Sequence, residues 1–213
     1  MVHLIGPIAI GLWLGVVVMI AVLTRQRWPD QQELSRKIIH IGTGAVVPLA
    51  WFFAIPAWIA VPFAVLVTLA TAINHRWRIV PAVEDVDRNS YGTVAYGLAI
   101  TMLLILCWPA RADAVCAGVL VMALGDGLAG LIGRSVNSAR WTVLGQPKSI
   151  AGTLTMALVS TLVLIGLMLV AIAWRVALGI STMATALEQV SPAGVDNLSV
   201  PLLVGLTWVL LIS

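Results

Sequence analysis

The sequence predicts an all-α fold: a polytopic bundle of about six to seven transmembrane helices, forming one domain over residues 1–213. Three observations carry this reading. Hydrophobic residues make up 61% of the chain and charged residues only 10%, with a mean hydropathy of +1.04, which is outside the range of soluble domains. The apolar residues gather in runs approaching the ~20 needed to cross a bilayer. The polar residues fall between those runs and show none of the alternation a membrane β-barrel needs, so strands are not expected.

The first run, Ile5 to Leu23, is followed at once by Thr24-Arg25-Gln26-Arg27. It has no basic segment before it and no A-x-A-like site after it, so it reads as a retained span and not a cleaved signal peptide. Ile38–Phe53 and Thr93–Trp108 are brief and interrupted by glycine, whereas Ala57–Ile73, Ala114–Ile132 and Ile150–Trp174 are more continuous. The last run, Val200–Ile212, is short for a full crossing, so the final helix is expected to be short or re-entrant. Cys107 and Cys116 lie in or beside apolar segments and predict no disulfide framework. No internal repeat and no low-complexity segment is visible.

The net charge of +3 and isoelectric point near 9.3 do not predict a nucleic-acid partner, because the basic residues sit in short loops between spans. Arg25, Arg27, Arg36, Lys37, Arg76, Arg78, Arg88, Arg134, Arg140 and Lys148 fall in or beside the first, third and fifth loops. The other side has only Arg111 and Arg175. Ten of the twelve Lys and Arg residues on one side is a strong positive-inside bias. It predicts an integral, multi-pass membrane protein with its N-terminus outside and the Lys148 loop in the cytoplasm.

Asp126 stands inside an apolar run, where a charge costs roughly 2.5–3.5 kcal/mol on insertion scales. Such groups usually face a cavity, a partner or an ion. Gly125, Gly127, Gly130 and Gly133 surround it, and Gly130 shares its face of the helix four residues on. An acid looking along a groove bare of side chains suits a Mg²⁺ ligand bridging phosphate oxygens. A structural acid neutralised by a basic neighbour, in a helix whose glycines serve plain packing, is the alternative.

Downstream, Gly145-Gln146-Pro147-Lys148-Ser149-Ile150-Ala151-Gly152-Thr153 opens the next span. Backbone N–H groups at that helix start, with Lys148 as a point charge, would form an anion site; an ordinary helix cap is the bland reading. It is not a P-loop, because Pro147 stands where that motif requires glycine and no βαβ context exists. Arg36 and His40, four apart, share a face at the entrance of the second span, with Lys37 beside them. They read as phosphate contacts and a possible catalytic group, or as orientation charges and a packed histidine. The mixed charges of Glu84 to Arg88 read as solvated loop.

Taken in order, Arg36-Lys37…His40, Ser90-Tyr91-Gly92-Thr93, Asp126-x-x-Ala129-x-x-x-Gly133, Lys148-Ser149-x-x-Gly152-Thr153 and Glu188…Asp196-Asn197…Pro201 form a pattern. It resembles the phytol kinase, dolichol kinase and yeast-type diacylglycerol kinase family of integral membrane lipid kinases, over about residues 35–201. The wording is most similar to the phytol kinase branch, since dolichol kinases carry a two-lysine element where this chain has Lys148-Ser149. The resemblance implies a CTP-dependent kinase that phosphorylates the hydroxyl of a membrane isoprenoid alcohol, phytol first. Another lipid alcohol, a polyprenol or diacylglycerol, is the neighbouring reading. It also implies a nucleotide site at Asp126, Ala129, Gly133, Lys148, Ser149 and Gly152, served from the cytoplasm, with Mg²⁺ or Mn²⁺ at Asp126.

Phosphoryl transfer needs positioning and charge neutralisation more than covalent catalysis. Asp126, Lys148, and Arg36 or Lys37 have the types for it, with His40 or a tail acid as base, and a bilayer cleft would deliver the alcohol sideways. A CDP-alcohol phosphotransferase would need two further aspartates soon after Asp126, and the next aspartate is Asp196. A small transporter also uses glycine-broken helices with intramembrane charge, but the chain lacks internal symmetry. Seven full spans would leave Glu188, Asp196 and Asn197 outside, away from the nucleotide. However, Arg175–Val190 is helix-compatible, and Pro192 and Gly194 break it. Two part-depth helices meeting at Ser191–Asn197 would bring those three residues inward, to the alcohol end of the site.

Overall fold

The computed structural model describes residues 2–80, 83, 91–168, 173–192 and 194–212. The charged segment 84–90, Ser90 included, lies outside them. The elements run α1 (Val2–Arg27), α2 (Gln32–Gly44), α3 (Val46–Phe52), α4 (Ala57–Trp77) and α5 (Gly92–Cys107). Then α6 (Ala112–Leu120) passes through a π-helical turn (Val121–Asp126) into α7 (Gly127–Ser135). A hairpin of β1 (Arg140–Val143) and β2 (Gln146–Ser149) leads to α8 (Ile150–Leu167), α9 (Trp174–Val190) and α10 (Asp196–Leu211). Pro48 has no N–H to offer the Gly44 carbonyl, and the second pass accordingly breaks between α2 and α3.

Of these, α1, α4, α6 through α7, and α8 are long and apolar enough to cross a membrane. With α2–α3 as one pass and α6 through α7 as another, the described residues make eight passes of the bundle. That is one more than the apolar runs suggest. The expected span Ile150–Trp174 is the reason: α8 stops at Leu167, and Trp174 opens a separate helix that turns back. Ser181 donates to the Ala157 carbonyl at 2.7 Å and Gln189 to Thr153 Oγ1 at 3.0 Å, so α9 lies antiparallel to α8. Interhelical hydrogen bonds in membranes average about 0.6 kcal/mol, so packing carries most of this contact. The last helix begins at Asp196, four residues earlier than its apolar run.

The pass from Ala112 to Ser135 is the axis of the bundle. Ala114, Val115, Cys116, Ala117, Val119, Val121, Met122 and Ala123 are completely buried, against α2, α3, α5, α8 and α10. A helix apolar all round is stable in such a position, and its small residues let neighbours approach closely. The outer helices turn apolar faces outward, as Leu154, Leu158 and Leu162 do on α8. These faces belong to a membrane protein and meet lipid. Of the nine tryptophans, eight sit at helix ends or loops. Trp28, Trp77 and Trp141 mark the face that carries the basic residues, and Trp51, Trp58, Trp108, Trp174 and Trp208 mark the opposite face, as interfacial aromatic belts do. At that opposite face Arg111 donates to the Val209 and Ile212 carbonyls and to Asp113, and Trp208 donates to Asp113 at 2.7 Å. This staples the end of α10 to the start of α6.

The antiparallel hairpin corrects the expectation of no strands. Its two-residue turn, Leu144-Gly145, has φ of 48° and 78°, the doubly positive geometry that matches strand twist. Gly145 adopts it freely; Leu144 does not. Pairing Arg140 with Ser149 and Trp141 with Lys148, the hairpin hangs Lys148 over the basic end of the axis helix.

Candidate active site

Asp126 closes the π turn, a feature frequent where helices serve a site. Its carboxylate meets Lys37 of α2 at 2.6 Å, and Lys37 Nζ also donates to the Asp126 carbonyl at 3.1 Å. The helix spacing predicted by Arg36 and His40 is realised by Lys37 and His40 instead: His40 Nε2 lies 3.4 Å from the same carboxylate. That nitrogen is 3.1 Å from the Met122 carbonyl, which can only accept, so Nε2 carries the proton and Nδ1 is the acceptor. The His40 ring packs on Tyr96, centroids 4.6 Å apart. Lys37 is 3% exposed.

Arg36 takes a different place, at the rim, where it donates to both oxygens of Glu33 at 2.5 and 3.1 Å, with Arg134 3.4 Å away. Burial on its own would raise the Glu33 carboxyl. Hydrogen bonding and charge from Arg36, with Arg134 and Lys37 adding to it, hold it below the usual carboxylate range.

The α9–α10 junction faces this pair. Lys148 pairs with the Glu188 carboxylate and also donates to the Glu188 carbonyl at 2.8 Å. Gln189 Nε2 donates to Glu188 Oε2 at 2.8 Å. Asp196, in the first turn of α10, accepts from the Asn197 N–H at 3.0 Å. Glu188, Asp196 and Asn197, far from Asp126 in sequence, are thus brought to it, and Asp126, Glu188 and Asp196 hold carboxylate oxygens all within 4.8 Å of one another. Lys37 and Lys148 balance two of these charges, and Asp196 has no cationic partner among the described residues. An all-oxygen set with one negative charge in excess suits a hard divalent cation such as Mg²⁺ or Mn²⁺.

Ala129, Gly133, Lys148, Ser149 and Gly152 line the same polar cavity as these carboxylates. Ser149 is the N-cap of α8: it accepts from the Gly152 N–H at 3.1 Å and donates to the Gly133 carbonyl at 3.3 Å. The helix-mouth N–H groups expected to bind an anion are taken: beside the cap, the Ile150 N–H donates to the Ala139 carbonyl at 3.1 Å and the Ala151 N–H to Ser138 Oγ at 3.3 Å, which leaves Lys148 as the cation of this segment. Gly133 and Gly152 are where α7 crosses α8. A Cβ at Gly133 would stand 2.8 Å from Ser149 Oγ and 3.2 Å from Gly152 Cα. Gly133→Val is therefore expected to cost about 1–3 kcal/mol, read by thermal unfolding in detergent. Gly179→Val, where a Cβ meets nothing within 4 Å, is expected to change little.

Arg134, Arg140, Gln146 and Gln189 also line the polar cavity and were not singled out in the sequence. Glu33 was not either, although its three-residue spacing to Arg36 was a readable signal. A second, apolar cavity lies between α1, α2, α3, α4 and α5, and the two meet at Arg36 and Asn197, which line both.

No family model matches the chain, and no solved structure matches it. Two curated proteins are similar to it. One is a phytol kinase of Synechocystis sp., 39% identical over 92% of this chain and 91% of that protein. The other, named probable phytol kinase 1, chloroplastic, from Glycine max, is 29% identical over 81% of this chain, which spans 65% of that longer protein.

Proposed function

The chain belongs to the phytol kinase family, and from that premise we propose that it transfers the terminal phosphoryl group of CTP to the hydroxyl of phytol. The observation that carries this reading is a polar cavity holding three carboxylates and two lysines that meets an apolar cavity at Arg36 and Asn197. The phytol oxygen attacks the γ-phosphorus; an O–P bond forms as the bond to the β-phosphate oxygen breaks, releasing CDP. His40 Nδ1 takes the hydroxyl proton late, as suits a loose transition state. Asp126, Glu188 and Asp196 would hold a divalent cation, whose chemistry is to neutralise phosphate charge. Lys37 keeps Asp126 ionised and aimed. Lys148, tethered by Glu188, presents a point charge to the phosphates.

Purified protein, Mg²⁺ and each of the four ribonucleoside triphosphates labelled at the γ-phosphate, offered with phytol, test the reaction. The expected result is label in the lipid phase from CTP. Label from ATP alone would replace the donor, and no lipid label from any donor would sink the reading. The nucleotide face is assigned to the cytoplasm on its basic residues. Arg140→Cys is therefore expected to react with an impermeant maleimide only after cells are permeabilised. The native Cys107 and Cys116 are buried and give little background. Labelling at 140 in intact cells would invert the topology.

A further inference from the structure

The apolar cavity has a polar end and an apolar end. His40, Arg36 and Asn197 stand where it joins the carboxylate cluster. Along its wall Thr68 and Thr71 spend their hydroxyls on the Ala64 and Thr68 carbonyls, so the wall offers hydrocarbon. At the far end Ile55, Ala50 and Ala60 form a floor. Ile55 is fixed there by Gly6 of α1, so close that a Cβ would stand 2.9 Å away, and by Trp108, whose indole donates to the Ile55 carbonyl at 2.8 Å.

On α5 the lining runs from Gly92 to Leu104, which is about 18 Å at helical rise. That is a depth suited to most of an extended phytyl chain. α1 packs on α2 and α3, and α4 packs on α5. Pro7, Ile10 and Leu14 of α1 and Ile59, Phe63 and Val67 of α4 line the cavity from two sides. One more observation points to the ligand's head: the Asn197 side-chain oxygen, in a residue 5% exposed, is buried without a hydrogen-bond partner among the described residues. A buried acceptor left unpaired is costly, and a hydroxyl satisfies it.

We infer that this cavity is the prenyl-chain site and that its floor gauges chain length. The alcohol slides in tail first between α1 and α4 and stops against Ala50, Ile55 and Ala60. Its hydroxyl donates to Asn197 Oδ1 until transfer begins and the proton moves to His40. This rests on the kinase reading and specifies its acceptor site.

Ala50→Leu and Ala60→Leu raise the floor from two different helices. With either, phosphorylation of phytol is expected to fall by roughly tenfold or more, the scale on which a methylene is discriminated. Farnesol, a shorter prenol, is expected to keep its rate, and the KM for CTP its value. If phytol and farnesol fall together while that KM holds, or if phytol is unaffected, the gauge is wrong. A photoreactive phytol analogue on the wild-type protein covers the case in which both variants fail to fold. Label on peptides of α1 to α5, displaced by phytol, supports the site, and label elsewhere or none overturns it. Should the wild type phosphorylate no alcohol yet label on those helices, the kinase reading falls and the chain site stands.

Discussion

Asp126→Asn is expected to lower the rate of phytol phosphorylation by about a hundredfold or more, the scale of losing a metal ligand in phosphoryl transfer. The substitution keeps the volume and removes the charge. In the structure that charge joins Lys37 and His40 on one side to Glu188 and Asp196 on the other. Asp113→Asn is the matched control. Asp113 also pairs with a basic residue, Arg111, but on the opposite face of the bundle. It is expected to lower stability modestly and leave turnover near that of the wild type. Equal activity of the two variants at equal expression would remove Asp126 from the reaction.

Lys37→Met is expected to destabilise the fold by about 3–5 kcal/mol, the usual cost of removing one partner of a buried ion pair. The reason lies in what is left behind: Asp126 stays buried beside two other carboxylates with its counter-charge gone. The double variant Lys37→Met/Asp126→Asn is expected to recover much of the loss, because no orphaned charge remains. Thermal unfolding in detergent measures both. Added Mg²⁺ is expected to raise the Tm of Lys37→Met more than that of the wild type, since a cation bound only by the folded state replaces the missing charge. A single variant as stable as the double would show the pair to be solvated and incidental.

Much of this site was readable because it breaks the rules of its surroundings. An acid among apolar residues and glycines, followed by Lys148 at a helix mouth, stands out in any membrane sequence. The partner of Asp126 was harder to read. Arg36, Lys37 and His40 are neighbours, and only the burial of α2 decides that Lys37 turns inward while Arg36 answers Glu33 at the rim. The ninth helix was legible as a helix, expected over Arg175–Val190 and found over Trp174–Val190, but not as a full pass. Ser181, Thr182, Thr185, Glu188 and Gln189 make α9 too polar to register as a span, yet Ser181 and Gln189 find partners on α8 and Thr185 finds its own backbone. The hairpin left almost no trace. Leu144 is an unusual residue for a positive-φ turn position, and Pro147 removes a backbone donor from β2.

The π turn at Val121–Asp126 carries a consequence for how the long axis helix tolerates change. Because it takes up an extra residue, α6 and α7 do not share one helical lattice, and a wheel drawn for the first half misplaces every residue of the second. Deleting one residue there would restore a uniform α-helix and rotate α7 by about 100°. Asp126 would leave Lys37 and Gly133 would leave Gly152 in the same movement. The acid and the α7–α8 crossing are geared to a single shaft, so under the proposed function the length of this turn counts as much as the identity of any side chain on it.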